Sequence, residues 1–156
     1  NLINIIQPLI KTPLSYNKND INTVLINSNF SCGYFLDRFK LFQKLKYNYN
    51  IQASYDPCSY PGIQCLFYYN KRNTIHNGVH EENENFQDWK KISFMIFRTG
   101  SVLIVGNCDK TILNIVYNFI KDVLKKEFNE IFININDTKK KQPKKKLRKK
   151  MIKIDI

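Results

Sequence analysis

A chain of 156 residues, 43% hydrophobic and 13% aromatic, is long enough for one domain with a real core and too apolar to be a disordered polymer. The formal charge is +12, but residues 139–156 hold ten Lys/Arg against one Asp, a net of +9 that leaves only +3 on the rest. No run of about eighteen apolar residues occurs, so no membrane span is expected, and no secretory leader is read.

The cysteines, Cys32, Cys58, Cys65 and Cys108, form no Cys-x-x-Cys pair, and no His completes a zinc set. Free thiols in a reducing compartment are the expectation. The first residue is Asn rather than Met, which suggests a piece of a longer protein. The abundance of Asn, Ile and Lys suggests an AT-rich genome.

Residues 1–10 are apolar at Leu2, Ile3, Ile5, Ile6, Leu9 and Ile10 and read as the end of a helix, with Pro8 disturbing its last turn. Residues 11–20 form a polar linker containing Pro13. Ile21–Asn27 is β-branched and apolar and predicts a strand. Gly33–Tyr49 places Phe35, Leu36, Phe39, Phe42 and Leu45 at helical spacing. Gly62–Tyr69 predicts the next strand. Residues 70–90 break the pattern with Asn, His, Gly and acidic residues and read as a mobile insertion between hairpin strands. Lys91–Arg98 and Ser101–Gly106 predict two strands joined at Thr99-Gly100. Asp109 is placed to cap a helix with apolar residues at Ile112, Ile115, Val116, Phe119, Ile120, Val123 and Leu124. A short apolar run, Ile131–Ile135, predicts a further strand. Residues 137–156 read as a solvated basic tail that attracts polyanions or acts as a nuclear import signal.

The order strand, helix, three antiparallel strands, long helix predicts an α+β fold: one curved antiparallel sheet with helices on one face. In the central hairpin both sheet faces are apolar. Ile92, Phe94 and Ile96 point one way, and Ser93, Met95 and Phe97 the other. Val102 and Ile104 likewise oppose Leu103 and Val105. Helices cover one face; the other is left as an apolar surface unless something else covers it.

The segment Tyr55-Asp-Pro-Cys-Ser-Tyr-Pro-Gly62 and the hairpin Ile96-Phe-Arg-Thr-Gly-Ser-Val-Leu-Ile-Val-Gly106 resemble the TATA-box-binding protein family. Each repeat of that family carries a Tyr-Glu-Pro-Glu-x-Phe-Pro-Gly segment and an Ile-Phe-x-Ser-Gly-Lys-Val-Val-x-Thr-Gly hairpin. The resemblance covers roughly residues 21–128, once the insertion is removed, and matches the second repeat. It implies one half of a saddle at 21–136, completed by a second repeat or a second copy, with residues 1–20 as the end of a preceding helix and linker.

It also implies a transcription initiation factor, of a large DNA virus or an AT-rich eukaryote, that binds AT-rich promoter DNA in the minor groove. Tyr60 and Phe97 stand at the positions of the family's aromatic wedges, and Leu103 and Val105 would line the groove floor. Arg98, beside the second wedge position, would meet phosphate. Thr23 stands where the family reads the groove with Asn. Leu66, Ser101 and Val105 stand where the family has Arg, Lys and Thr, so several polar contacts are replaced. The implied partners are double-stranded DNA, general initiation factors and RNA polymerase. The implied location is the nucleus or cytoplasm, or a viral factory or virion for a viral protein.

Other chemistries find less support in the residues. Asp56, Asp109 and Asp122 make no carboxylate pair, and no Gly-rich phosphate loop or Ser/His/Asp arrangement is present. His76 and His80 lie four apart, but Gly78 between them argues against a helical zinc pair. No enzyme, metal or cofactor is therefore expected. Two alternatives remain open at this stage. One is a saddle-fold protein-interaction module whose sheet has lost DNA binding. The other is a nucleic-acid enzyme that carries this unit to hold its substrate.

Overall fold

The computed structural model describes residues 2–17, 19, 22–80 and 89–134. In chain order these form α1 (Leu2–Ile6), a 3-10 turn (Gln7–Leu9), β1 (Ile26–Ser31), β2 (Phe35–Leu36), α2 (Arg38–Gln43), a π-helical segment (Lys44–Asn48), β3 (Gln52–Ser54), β4 (Gly62–Asn70), β5 (Trp89–Phe97), β6 (Ser101–Gly106), α3 (Lys110–Lys126), α4 (Phe128–Ile131) and β7 (Phe132–Ile133). The fold is α+β. Its main sheet is antiparallel and open, with strand order β1-β6-β5-β4-β3, and β2 and β7 pair separately.

The period-two pattern of the hairpin decides which face is covered. Ile63, Phe67, Ile92, Phe94, Ile96, Val102 and Ile104 are all at most 1% exposed. They join one core with Leu41 of α2 and with Ile112, Val116, Ile120, Val123 and Leu124 of α3. Each large side chain so buried contributes roughly 2–3 kcal/mol relative to exposure. Asp109 caps α3 as expected, its carboxylate accepting from the Ile112 amide at 2.9 Å.

Several expectations are corrected. The first strand is Ile26–Ser31, not 21–27: Thr23, Val24 and Leu25 are exposed and irregular, and it is the Asn-Ser-Asn-Phe stretch that pairs with β6. Ladder pairing with a neighbour outweighs the intrinsic preference of the β-branched run. The helix expected from Gly33 begins only at Arg38. Phe35 and Leu36 are drawn into extended pairing with Ile133 and Phe132, and the Leu36 amide donates to the Arg98 carbonyl at 2.9 Å. Asp37 then caps α2 through the Phe39 and Lys40 amides. The helix ends in a widened turn, where the Tyr49 amide donates to the Lys44 carbonyl at 3.1 Å. The run expected as a strand from Ile131 supplies only Phe132–Ile133, after a helical turn; Ile135 lies outside the described residues.

The insertion is shorter than expected, since β4 runs to Asn70 and β5 starts at Trp89. Its first part folds back: the Tyr68 amide donates to the Gly78 carbonyl at 3.0 Å, and His76 packs on Tyr69. Residues 81–88 and the basic tail at 137–156 lie outside the described residues. No helix among the described residues is long and apolar enough to cross a membrane.

A charged cluster joins the π-helical segment to the end of α3 and to α4. Lys44 Nζ lies 3.0 Å from Glu127 Oε2 and 2.9 Å from Glu130 Oε1, and the Tyr49 hydroxyl donates to Glu127 Oε1 at 2.8 Å. Burial, followed by that hydrogen bond, pushes the Tyr49 pKa up to about 12, so the hydroxyl stays a donor across the working range. The Tyr49 hydrogen bond and then Lys44 hold the Glu127 carboxyl below its ordinary value of 4.5. A depressed carboxyl stabilises the fold above its unfolded pKa and loses that contribution as pH falls through the folded value. Glu127→Gln is therefore expected to lower the urea midpoint at neutral pH, with the gap to wild type closing below about pH 4.5. A gap that stayed constant throughout an acid titration would contradict this role.

Candidate nucleic-acid interface

The face of the sheet opposite the helices is built by register alone. One row across all five strands reads Asn29, Leu103, Met95, Gln64, Ser54. The next reads Asn27, Val105, Ser93, Leu66, Gln52. Both rows are apolar or small in the middle and end in amides or hydroxyls. A shallow depression of about 340 Å³ lies over the β3–β4–β5 half, lined by Gln64, Leu66, Ser93 and Met95 among others. Among the described residues, the only charged side chain that the register places on this face is Lys91, at one end, with its Nζ 5.6 Å from the Tyr68 ring centroid.

At the opposite end stand Tyr60 and Phe97. Their ring centroids are 6.0 Å apart and their planes 58° apart. Both rings are half-buried, and the Tyr60 hydroxyl reaches Met95 Sδ at 3.4 Å. Gly62 pairs with Phe97 in the ladder, and a Cβ there would come within 3.0 Å of the Tyr60 ring and 3.1 Å of the Phe97 ring. The Gly of the Tyr-Pro-Gly segment thus leaves the space that two rings need to share one strand end.

Each ring has its own support. Asp56 accepts from the Cys58 amide at 3.0 Å and from the Ser59 hydroxyl, and its carbonyl takes the Tyr60 amide at 2.9 Å. The Ser59 contact, followed by the Cys58 amide, holds the Asp56 carboxyl below its ordinary range. Arg38 sits over the Tyr55 ring at 5.3 Å and donates to the Pro61 carbonyl. Phe97 is held through the turn that follows it. The Gly100 amide donates to the Phe97 carbonyl at 3.0 Å, and Cys32 donates to the Gly100 carbonyl at 2.9 Å. Gly100 has φ +83°, and a Cβ there would overlap the Tyr34 carbonyl and lie 2.7 Å from Cys32 Sγ.

The residues singled out in the sequence therefore divide. Tyr60, Phe97, Leu103 and Val105 share the open face. Arg98 is exposed beside it on the turn. Thr23 is a correction: it lies in the exposed segment ahead of β1, and the amides that the register places on this face are Asn27 and Asn29. Met95, Gln52 and Gln64 were also missed. The alternation Asn27-Ser28-Asn29-Phe30 was the available signal.

Two carboxylates considered for chemistry, Asp56 and Asp109, are engaged with backbone amides. No group of three or more His, Cys, Asp or Glu that could hold a metal occurs among the described residues. Neither a family model, nor a curated protein, nor a solved structure matches this chain.

Gly62→Ala is expected to crowd the ring pair and destabilise the fold by about 1 kcal/mol. It should also weaken the cross-peaks between the Tyr60 and Phe97 ring protons in NOE spectra. Unchanged stability with unchanged cross-peaks would show that the glycine is not what makes room.

Proposed function

We propose that the open sheet face binds AT-rich double-stranded DNA in the minor groove, as the resemblance to the TATA-box-binding proteins implies. The observation that carries the reading is the ring pair Tyr60–Phe97 at the edge of an apolar, amide-rimmed sheet face whose charged side chain, Lys91, lies at the far end. The dimensions favour deformation. Five strands span about 19 Å at roughly 4.8 Å per spacing, whereas an undistorted minor groove is about 6 Å wide. A duplex that meets the whole face has to open and bend.

Two aromatic rings at one end suit that task, since they can enter a base step and partly replace the stacking they break. The amides of Asn27, Asn29, Gln52 and Gln64 match the acceptors that A·T pairs present in that groove. Leu103, Val105 and Met95 would press on its floor. AT-rich steps deform most readily, which gives a preference without many base hydrogen bonds. Phosphate contacts would come from Arg98 and from the lysines of residues 139–156. On this reading the protein acts in transcription initiation, and its helical side meets initiation factors or the polymerase.

A second reading has its own observation. Leu66, Ser101 and Val105 replace Arg, Lys and Thr of the family pattern, and the middle of the face lacks charge. A sheet of that kind also suits docking of a protein partner.

The experiment is a fluorescence titration of the full chain with AT-rich and GC-rich duplexes, paired with end-to-end energy transfer to read bending. The AT-rich duplex is expected to bind more tightly and to bend. Its affinity is expected to fall with salt with a logarithmic slope of about −0.9 per phosphate contacted. Phe97→Ala is expected to weaken AT-rich binding by about 2 kcal/mol, roughly thirtyfold, and to reduce the bend. Equal binding of both duplexes, or binding unmoved by Phe97→Ala, would overturn the first reading. Loss of a protein complex on Phe97→Ala, with no effect of competing duplex, would establish the second.

A further inference from the structure

The two rings of the pair are not equivalent. Phe97 ends in carbon, whereas Tyr60 ends in a hydroxyl, at a position where the family pattern has Phe. That hydroxyl lies 3.4 Å from Met95 Sδ, and among the described residues it has no other hydrogen-bond partner. We propose that the Tyr60 oxygen accepts from the N2 amino group of guanine, so that the duplex held on the open face carries a G·C pair beside the step the rings enter. This role rests on the duplex reading and adds to it one position at which A·T is not preferred.

The hydroxyl points inward. The Tyr60 ring passes close over Gly62, where a Cβ would come within 3.0 Å of its Cε1. The Tyr60 amide is fixed by its bond to the Asp56 carbonyl at 2.9 Å. From that anchorage the ring runs toward the middle of the sheet. Met95 lies two residues before Phe97 on β5, opposite Gln64 on one side and Leu103 on the other. The hydroxyl therefore stands over the floor of the face rather than out at its rim.

Its proton already has a direction. A hydroxyl has one proton and two lone pairs, and a thioether sulfur is a weak acceptor with no proton to give. In the contact with Met95 the Tyr60 hydroxyl is therefore the donor. What it offers to a ligand is its lone pairs.

The minor groove answers an acceptor unevenly. A·T pairs of either orientation show only adenine N3 and thymine O2, both acceptors, and G·C adds one donor, the guanine N2 amino group. Against G·C the Tyr60 oxygen keeps its bond to Met95 and gains a second. Against A·T it meets another acceptor and bonds only by turning its proton away from the sulfur, so one bond replaces another. The difference is one hydrogen bond, about fivefold in affinity. Neighbouring groups impose no such choice. The Gln64 amide carries both donors and an acceptor and can turn either toward a pair. Asp56, on the same segment as Tyr60, is occupied by the Cys58 amide and the Ser59 hydroxyl.

The test is a fluorescence titration of the full chain with AT-rich duplexes in which one pair at a time is replaced by G·C or by I·C. Inosine lacks the N2 amino group, so I·C shows the minor groove only acceptors, as A·T does. At one position G·C is expected to bind about fivefold more tightly than both I·C and A·T. Tyr60→Phe should bring G·C and I·C to equal affinity there. Met95→Leu removes the sulfur and frees the proton, and should narrow the preference at the same position. Circular dichroism of both variants checks that the sheet is intact. No position preferring G·C over I·C, or a preference that survives Tyr60→Phe, would overturn this role and leave the duplex reading standing. A·T preferred at every position, with affinity lost on Tyr60→Phe, would make the hydroxyl a donor and overturn it equally. Failure of every AT-rich duplex to bind, or binding that Phe97→Ala does not move, would overturn the duplex reading and this role together.

Discussion

Everything in this molecule depends on the alternation of side chains along β5 and β6. Because neighbouring residues of a strand point to opposite faces, burying Ile92, Phe94 and Ile96 beneath the helices forces Ser93, Met95 and Phe97 outward. The same holds for Val102 and Ile104 against Leu103 and Val105. Hydrophobic burial fixes this choice strongly: a slip of one residue would expose an entire core row. The helices are thus committed to one side, and the other is left apolar by sequence rather than by accident of packing.

That uncovered face is supported at both of its aromatic rings. The segment that carries Tyr60 is closed by the Asp56 carboxylate and pinned by Arg38. The turn after Phe97 is tied to residues 32–36 by backbone hydrogen bonds at Gly100 and Arg98. These ties hold the two rings in one arrangement.

The legibility of the sequence followed from how local each feature is. Ile92 to Val105 shows period two over a long run joined by Thr99-Gly100, and the hairpin was readable at once. Asp109 followed by seven apolar residues at helical spacing was equally plain. β1 was misplaced because Asn27, Ser28 and Asn29 are weak strand formers, while Thr23 and Val24 are strong ones that in fact stay exposed. Only the pairing with β6, far along the chain, settles which stretch is the strand. The helix start was misread for the same reason: Phe35 and Leu36 answer to Ile133 and Phe132, not to their neighbours. Within the candidate interface, Tyr60 and Phe97 were visible through the order of their motifs. Asn29, Met95 and Gln64 come together only through cross-strand register, which a single sequence does not state.

The strand order has a kinetic side. β4, β5 and β6 are joined as neighbours, and the β5–β6 turn closes over three residues. β1 is different: it enters the sheet beside β6, with Ile26 opposite Gly106 and Ser31 opposite Ser101, so its loop spans most of the domain. The entropy of closing that loop has to be met by six residue pairs, and four of the six β1 side chains are Asn or Ser. Contacts of such long range slow the search for the native topology. The strand that borders the open face is therefore the one whose arrival in the sheet depends most on everything else being already in place.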